Sequence, residues 1–143
     1  MIQSISKKLS SNDVGDTGSK QAGILVPKEQ GILSLFPNLG NSTKNPRATI
    51  VVREVDGSAR WEFKFIYYNG RLFGGTRNEY RLTCMTKYLR SIGAKDGDEL
   101  VFTKDHNGSI QIEYLRASNN IKLDDSGILV LGSGWKIIKK GEI

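Results

Sequence analysis

The run Ala59 to Tyr68, ARWEFKFIYY, constrains the fold more than any other stretch of the chain. Trp61, Phe63 and Phe65 fall on one side, and Glu62, Lys64 and Ile66 on the other. A period of two is the mark of a half-buried strand, because side chains alternate across a pleated backbone. Turn dipeptides bracket the run. Asp56-Gly57 separates it from Ala48 to Val55 (ATIVVREV), which is rich in β-branched residues, and Asn69-Gly70 closes it with the pair best suited to a tight turn of positive φ. Asp98 to Thr103 and Ser109 to Leu115 flank Asp105-His106-Asn107-Gly108 as a further hairpin.

Arg77 to Thr83, Ile128 to Leu131 and Trp135 to Ile138 bring the expected total to about seven strands. Only two segments read as helical. Lys28 to Phe36 lies between Pro27 and Pro37, and Thr86 to Ile92 has Thr86 as a cap, Gly93 as a stop and Tyr88, Leu89 and Ile92 as an apolar stripe. A mainly β chain of short strands with two short helices argues for a closed or nearly closed barrel. Its 143 residues fit one domain, 1–143, with 117–143 the least defined part and Lys139-Lys140-Gly141-Glu142 read as a frayed end or linker.

Composition excludes some classes of function. Apolar runs such as Ile50-Val51-Val52 are too short to span a bilayer, and the N-terminus lacks the apolar core of a secretory signal. The single cysteine, Cys84, cannot form an internal bridge and fits a reducing, cytoplasmic compartment. A net charge of +6 suits a phosphate backbone, an anionic membrane surface or solubility alone, so charge does not decide the partner.

Two polar segments carry more chemistry. In GGTRNEYRLT, Gly74 to Thr83, an extended backbone puts Arg77, Glu79 and Arg81 on one face. Arginine bonds guanine O6 and N7, and glutamate accepts from cytosine N4, so such a face suits G·C pairs in the major groove, which also admits a β-ribbon. The second segment holds Lys7, Lys8, Ser10, Asn12, Asp13, Lys20 and Gln21, followed by the apolar Ile24-Leu25-Val26. These residue types are common base and phosphate contacts, and equally common in exposed turns.

Catalytic constellations are thin. Asp56 with Glu62 and Lys64 has the residue types of a metal-dependent nuclease, yet Glu and Lys alternating with Trp and Phe is also the solvent face of a strand. His106 sits in a turn, Cys84 lacks an evident base, and one histidine with one cysteine makes no zinc set.

KKLSSNDVGDTGSKQAGILVP (7–27) and YYNGRLFGGTRNEYRLT (67–83), in this order, resemble the two signature segments of the N-terminal effector-DNA-binding domain of EcoRII-type restriction endonucleases. Weaker similarity covers Leu35-Phe36-Pro37 and Asn45-Pro46. The resemblance implies a DNA-binding pseudobarrel, the fold shared with plant auxin-response and abscisic-acid-response transcription factors, whose N-arm and C-arm grip the major groove. It implies that Lys7, Ser10, Asn12, Asp13, Lys20 and Gln21 form the N-arm and that Arg77, Asn78, Glu79 and Arg81 form the C-arm. Lys7 and Lys8 are then expected to hold phosphates. Three positions depart from the family pattern: Lys20 replaces His, Leu25 replaces Tyr and Gly75 replaces Lys.

By this resemblance the chain is expected to bind double-stranded DNA at a CCNGG-like or CCWGG-like site, as the recognition module of a type II restriction endonuclease. It would be a monomer in isolation and not itself an enzyme. No cofactor is expected, with Mg²⁺ needed only by a catalytic domain elsewhere. Two alternatives remain open: cleavage by this chain through Asp56, Glu62 and Lys64, or a stand-alone transcription regulator.

Overall fold

The alternation in ARWEFKFIYY is realised as a strand: Phe63 and Phe65 point into the core, while Glu62 and Lys64 face solvent. The computed structural model describes residues 2–15, 23–117, 129–130 and 134–140. Within these, nine strands form one sheet: β1 (Gln3–Lys8), β2 (Ile24–Val26), β3 (Arg47–Glu54), β4 (Arg60–Tyr68), β5 (Glu79–Thr83), β6 (Glu99–Lys104), β7 (Ile110–Leu115), β8 (Leu129–Val130) and β9 (Trp135–Lys140). Their lateral order is β2-β5-β4-β3-β7-β6-β1-β9-β8. Pairing is antiparallel except where β3 runs parallel to β7.

The mainly β reading stands, with nine described strands in place of about seven. The two that periodicity misses, β1 and β2, stand on either side of the N-arm. The segment expected at Ile128 to Leu131 appears as β8, with its end residues outside those described, as are Gly132, Ser133 and the terminal Gly141-Glu142.

Turn chemistry explains two hairpins. Between β3 and β4, Gly57 takes φ of +76° and Asp56 Oδ1 accepts from the Ser58 amide. Between β6 and β7, Gly108 takes φ of +85° and the Asp105 amide donates to the Ser109 carbonyl. The tight turn expected at Asn69-Gly70 does not form. Asn69 is buried, with φ of −110°; its Nδ2 donates to the Thr43 carbonyl and its Oδ1 accepts from the Asn45 amide. Residues 69–78 instead make a long connection containing a 3-10 helix, Gly70–Phe73.

The sheet curls until its ends meet. β2 and β9 stand far apart in lateral order, yet the indole Nε1 of fully buried Trp135 donates to the Leu25 carbonyl at 2.8 Å. The Trp135 ring stacks on Phe102 of β6. The helix α1 (Gln30–Leu33) closes the same seam, with Gly31 so near β9 that an added Cβ would lie 2.3 Å from Ile137 Cδ1. Just beyond it, Phe36 stacks on Phe65 and meets the edge of Phe102, which joins β4 to β6 through the barrel interior. The second helix, α2 (Thr86–Ser91), buries Tyr88 and Leu89, with Tyr88 edge-on to Trp61 and Phe63. Met85, not Thr86, occupies its N-cap position.

Trp135→Phe keeps an aromatic ring at this position and removes the indole donor that reaches the Leu25 carbonyl. It is expected to lower the free energy of unfolding by about 1 kcal/mol, the net worth of one hydrogen bond. Urea denaturation followed by circular dichroism measures this, and an unchanged midpoint would show that the bond does not hold the barrel closed.

Candidate nucleic-acid interface

Strand register builds one half of the site. Tyr68 of β4 lies opposite Glu79 of β5, and Ile66 opposite Arg81, on the face turned away from the core. Tyr67 and Tyr80 pair on the other face, their rings stacked 4.3 Å apart and 9° from parallel. Arg77 and Asn78 precede β5, so the expected strand from Arg77 starts two residues later.

The expected triad nevertheless assembles. Glu79 Oε2 accepts from Arg77 Nη2 at 2.8 Å and from Arg81 Nε at 2.6 Å. The two arginines together hold the Glu79 carboxyl below the usual carboxylate range, Arg81 contributing more than Arg77. Arg77 also lies over the Tyr68 ring, its Cζ 3.9 Å from the centroid. The Tyr67 hydroxyl donates to Asn78 Oδ1 at 2.7 Å, which orients the Asn78 amide. Arg77 is about half exposed, whereas Arg81 is largely covered and spends a second donor, Nη1, on the Gly23 carbonyl at 3.1 Å.

The N-arm starts from β1 and ends at β2. Its first part is a compact turn: the Ser10 amide donates to Asp13 Oδ2, the Asp13 amide donates back to Ser10 Oγ, and the Val14 amide reaches the Ser10 carbonyl. Ser11 Oγ donates to Asp96 Oδ2, and Leu9 exchanges backbone bonds with Gly97 and Asp98. Lys7 and Asp13 face each other at 3.2 Å with under a tenth of either side chain exposed, so both are turned into the base of the arm. Lys8, Ser10 and Asn12 are exposed, while Lys20 and Gln21 lie outside the described residues.

A chain of contacts brings the two segments to one side of the barrel. Lys7 pairs with Trp135 across β1 and β9, Trp135 Nε1 bonds the Leu25 carbonyl, and Leu25 pairs with Arg81 across β2 and β5. Gly23 is the joint where the arm returns. Its φ is +87°, and an added Cβ would sit 2.5 Å from the Leu82 carbonyl oxygen, so no larger residue fits without displacing backbone. Gly23 and Tyr68 lie within the segments 7–27 and 67–83 but are not among the residues expected to contact DNA; here Gly23 accepts from Arg81 and the Tyr68 ring lies under Arg77. The signal for Tyr68 is the period-two pairing of YY with the Glu79 strand across an antiparallel ladder.

The residues considered for metal-dependent cleavage have other partners. Asp56 is exposed in its turn, its pKa lowered chiefly by the Ser58 side chain; Glu62 pairs with Arg60; Lys64 donates to Thr49 Oγ1. Among the described residues no group of three or more His, Cys, Asp or Glu side chains could hold a metal ion. No helix among them is long and apolar enough to cross a membrane.

Known proteins share both the sequence pattern and the fold. Residues 2–119 match the family described as restriction endonuclease EcoRII, N-terminal. Eighty residues are 39% identical to the type II restriction enzyme EcoRII of Escherichia coli, covering 54% of this chain and 19% of that enzyme, so the chain spans about a fifth of its relative. The structure is similar to that of the Arabidopsis FUS3–DNA complex (TM-score 0.60, 21% identity, 78% of this chain and 95% of that one). It is also similar to the B3 domain of the UbaLAI restriction endonuclease with cognate DNA (TM-score 0.56, 21% identity, 81% of this chain and 69% of that one). At such identity these two likenesses bear on the fold alone.

The depressed pKa of Glu79 has a readable consequence. A carboxyl whose folded pKa lies below its unfolded value contributes stability above the unfolded value, about 4.3 for glutamate, and loses it as pH falls through the lower folded value. An NMR titration of the Glu79 side chain should therefore give a midpoint below about 4.3, and Arg81→Ala should raise it. A midpoint unmoved by that substitution would mean that the ion pair does not form in solution.

Proposed function

The chain belongs to the EcoRII N-terminal domain family, and from that premise we propose that it binds double-stranded DNA sequence-specifically through the major groove. The observation that supports this best is the Arg77–Glu79–Arg81 cluster at the start of β5, with Arg77 half exposed and Arg81 bonded to Gly23. Arg77 uses one N–H on Glu79 and keeps the rest of its fork for guanine O6 and N7. Both arginines bond Glu79 through Oε2, which leaves Oε1 to accept from a cytosine amino group. Asn78 Nδ2 adds a donor next to them. This chemistry favours G·C pairs and suits a CCNGG-like or CCWGG-like site.

The triad is pre-organised. Glu79 and the Tyr68 ring fix the Arg77 guanidinium before DNA arrives, so less side-chain freedom is lost on binding. Lys8, exposed at the end of β1, is placed for a phosphate, and Lys20 and Gln21 would complete the N-arm. Lys7 and Asp13 differ from these. Their pairing shapes the arm's base, and only its rearrangement would deliver either of them to DNA. The module works as a monomeric, non-catalytic recognition part of a restriction endonuclease, and Mg²⁺-dependent cleavage belongs to a domain elsewhere in such an enzyme.

Binding titrations on a duplex selected from random sequence, and on a scrambled one, test this reading. Arg77→Ala is expected to cost about 1–3 kcal/mol on the selected duplex and little on the scrambled one. Lys8→Ala should weaken both alike and reduce the salt slope by about one. Equal losses on both duplexes for Arg77→Ala would remove its reading role, and cleavage of plasmid with Mg²⁺ that Glu62→Ala abolishes would replace the proposal with an enzyme.

A further inference from the structure

Leu72 and Phe73 are consecutive, large and apolar, yet 54% and 47% exposed. Both lie at the end of the 3-10 helix in the connection from β4 to β5. That connection is tightly held. The Leu72 amide donates to the Asn69 carbonyl, the Gly75 amide to the Gly70 carbonyl at 2.7 Å, and the buried Asn69 side chain ties the base to Thr43 and Asn45. Gly74, with φ of +90°, then stops the helix so that the pair remains at the tip. A rigid exposed apolar pair is a solubility cost unless something covers it.

We propose that Leu72 and Phe73 form an apolar ridge that packs on duplex DNA beside the Arg77–Glu79–Arg81 face, against deoxyribose and thymine methyl groups. This rests on the DNA-binding reading above. Two observations select the occupant. The Arg71 amide donates to the Arg77 carbonyl at 2.9 Å, so the ridge is fastened to the backbone of the residue to which the proposed function gives base reading. Residues 69–78 contain two arginines and no carboxylate. An apolar ridge between Arg71 and the Glu79-paired Arg77 matches a surface where sugars and thymine methyls alternate with phosphates.

Salt dependence separates this contact from an ionic one. The wild-type protein, Leu72→Ser/Phe73→Ser and Arg71→Ala are titrated with the selected duplex over a salt series. The double variant is expected to bind about ten-fold more weakly, given the apolar area each side chain still exposes. Its slope of log K against log salt should stay that of the wild type, because an apolar contact releases no counterions, whereas Arg71→Ala should flatten the slope. Phe73→Leu, which keeps the tip apolar, should retain most of the affinity and guards against a loss that stems from misfolding. Wild-type affinity in the double variant, or an altered slope, would overturn the proposal and give the ridge to another partner, such as a protein surface. Failure of the wild type itself to bind any duplex would instead remove the DNA-binding premise.

Discussion

A buried indole N–H must find an acceptor, and Trp135 finds the carbonyl of Leu25 on the outward edge of β2. Much else in the molecule follows from that bond. β2 has three residues and is laddered only to β5, so its other edge would otherwise present unpaired backbone to the seam. One side-chain hydrogen bond stands where a strand ladder would close a true barrel. In lateral order the N-arm's first strand and the Arg81 strand are five positions apart, with β4, β3, β7 and β6 between them. Across the seam, the Trp135–Leu25 bond links them directly through β9 and β2.

Two carboxylates then divide the basic residues between two roles. Asp13 draws Lys7 inward, where a lone ammonium would be costly, and the pair stiffens the turn from which the rest of the arm departs. Glu79 bonds two guanidinium groups at once, that of Arg77 half exposed and that of Arg81 largely covered. In each case the cation gives up some attraction for phosphate and gains a defined position. Positions of bases are what a sequence-reading surface must match, so geometry is worth more there than bulk charge.

Local signals are legible in the sequence, and non-local ones are not. Alternation finds β4, β-branched content finds β3, and the turns at Asp56-Gly57 and Asp105 to Gly108 mark the hairpins, because each signal rests on residues a few positions apart. β1 escapes such a reading because QSISKK has one aliphatic side chain, Ile5; its buried Lys7 is paired with Asp13. Asn69-Gly70 misleads for a related reason. Asn69 is engaged by Thr43 and Asn45, more than twenty positions away, and no dipeptide rule contains them. At the candidate site the Arg, Glu, Arg order is readable as a shared face, but the inward turn of Lys7 and Asp13 requires the fold.

Gly23 links the two arms mechanically. Its positive φ and its approach to Leu82 fix where the N-arm rejoins the sheet, and its carbonyl accepts from Arg81 Nη1. Any displacement of the arm's end therefore moves an acceptor of Arg81, and through Glu79 Oε2 it reaches Arg77. The two segments are coupled through a continuous set of side-chain hydrogen bonds. A short strand with a clamped triad thus becomes responsive to the loop beside it, although the described part of that loop turns its charged pair inward.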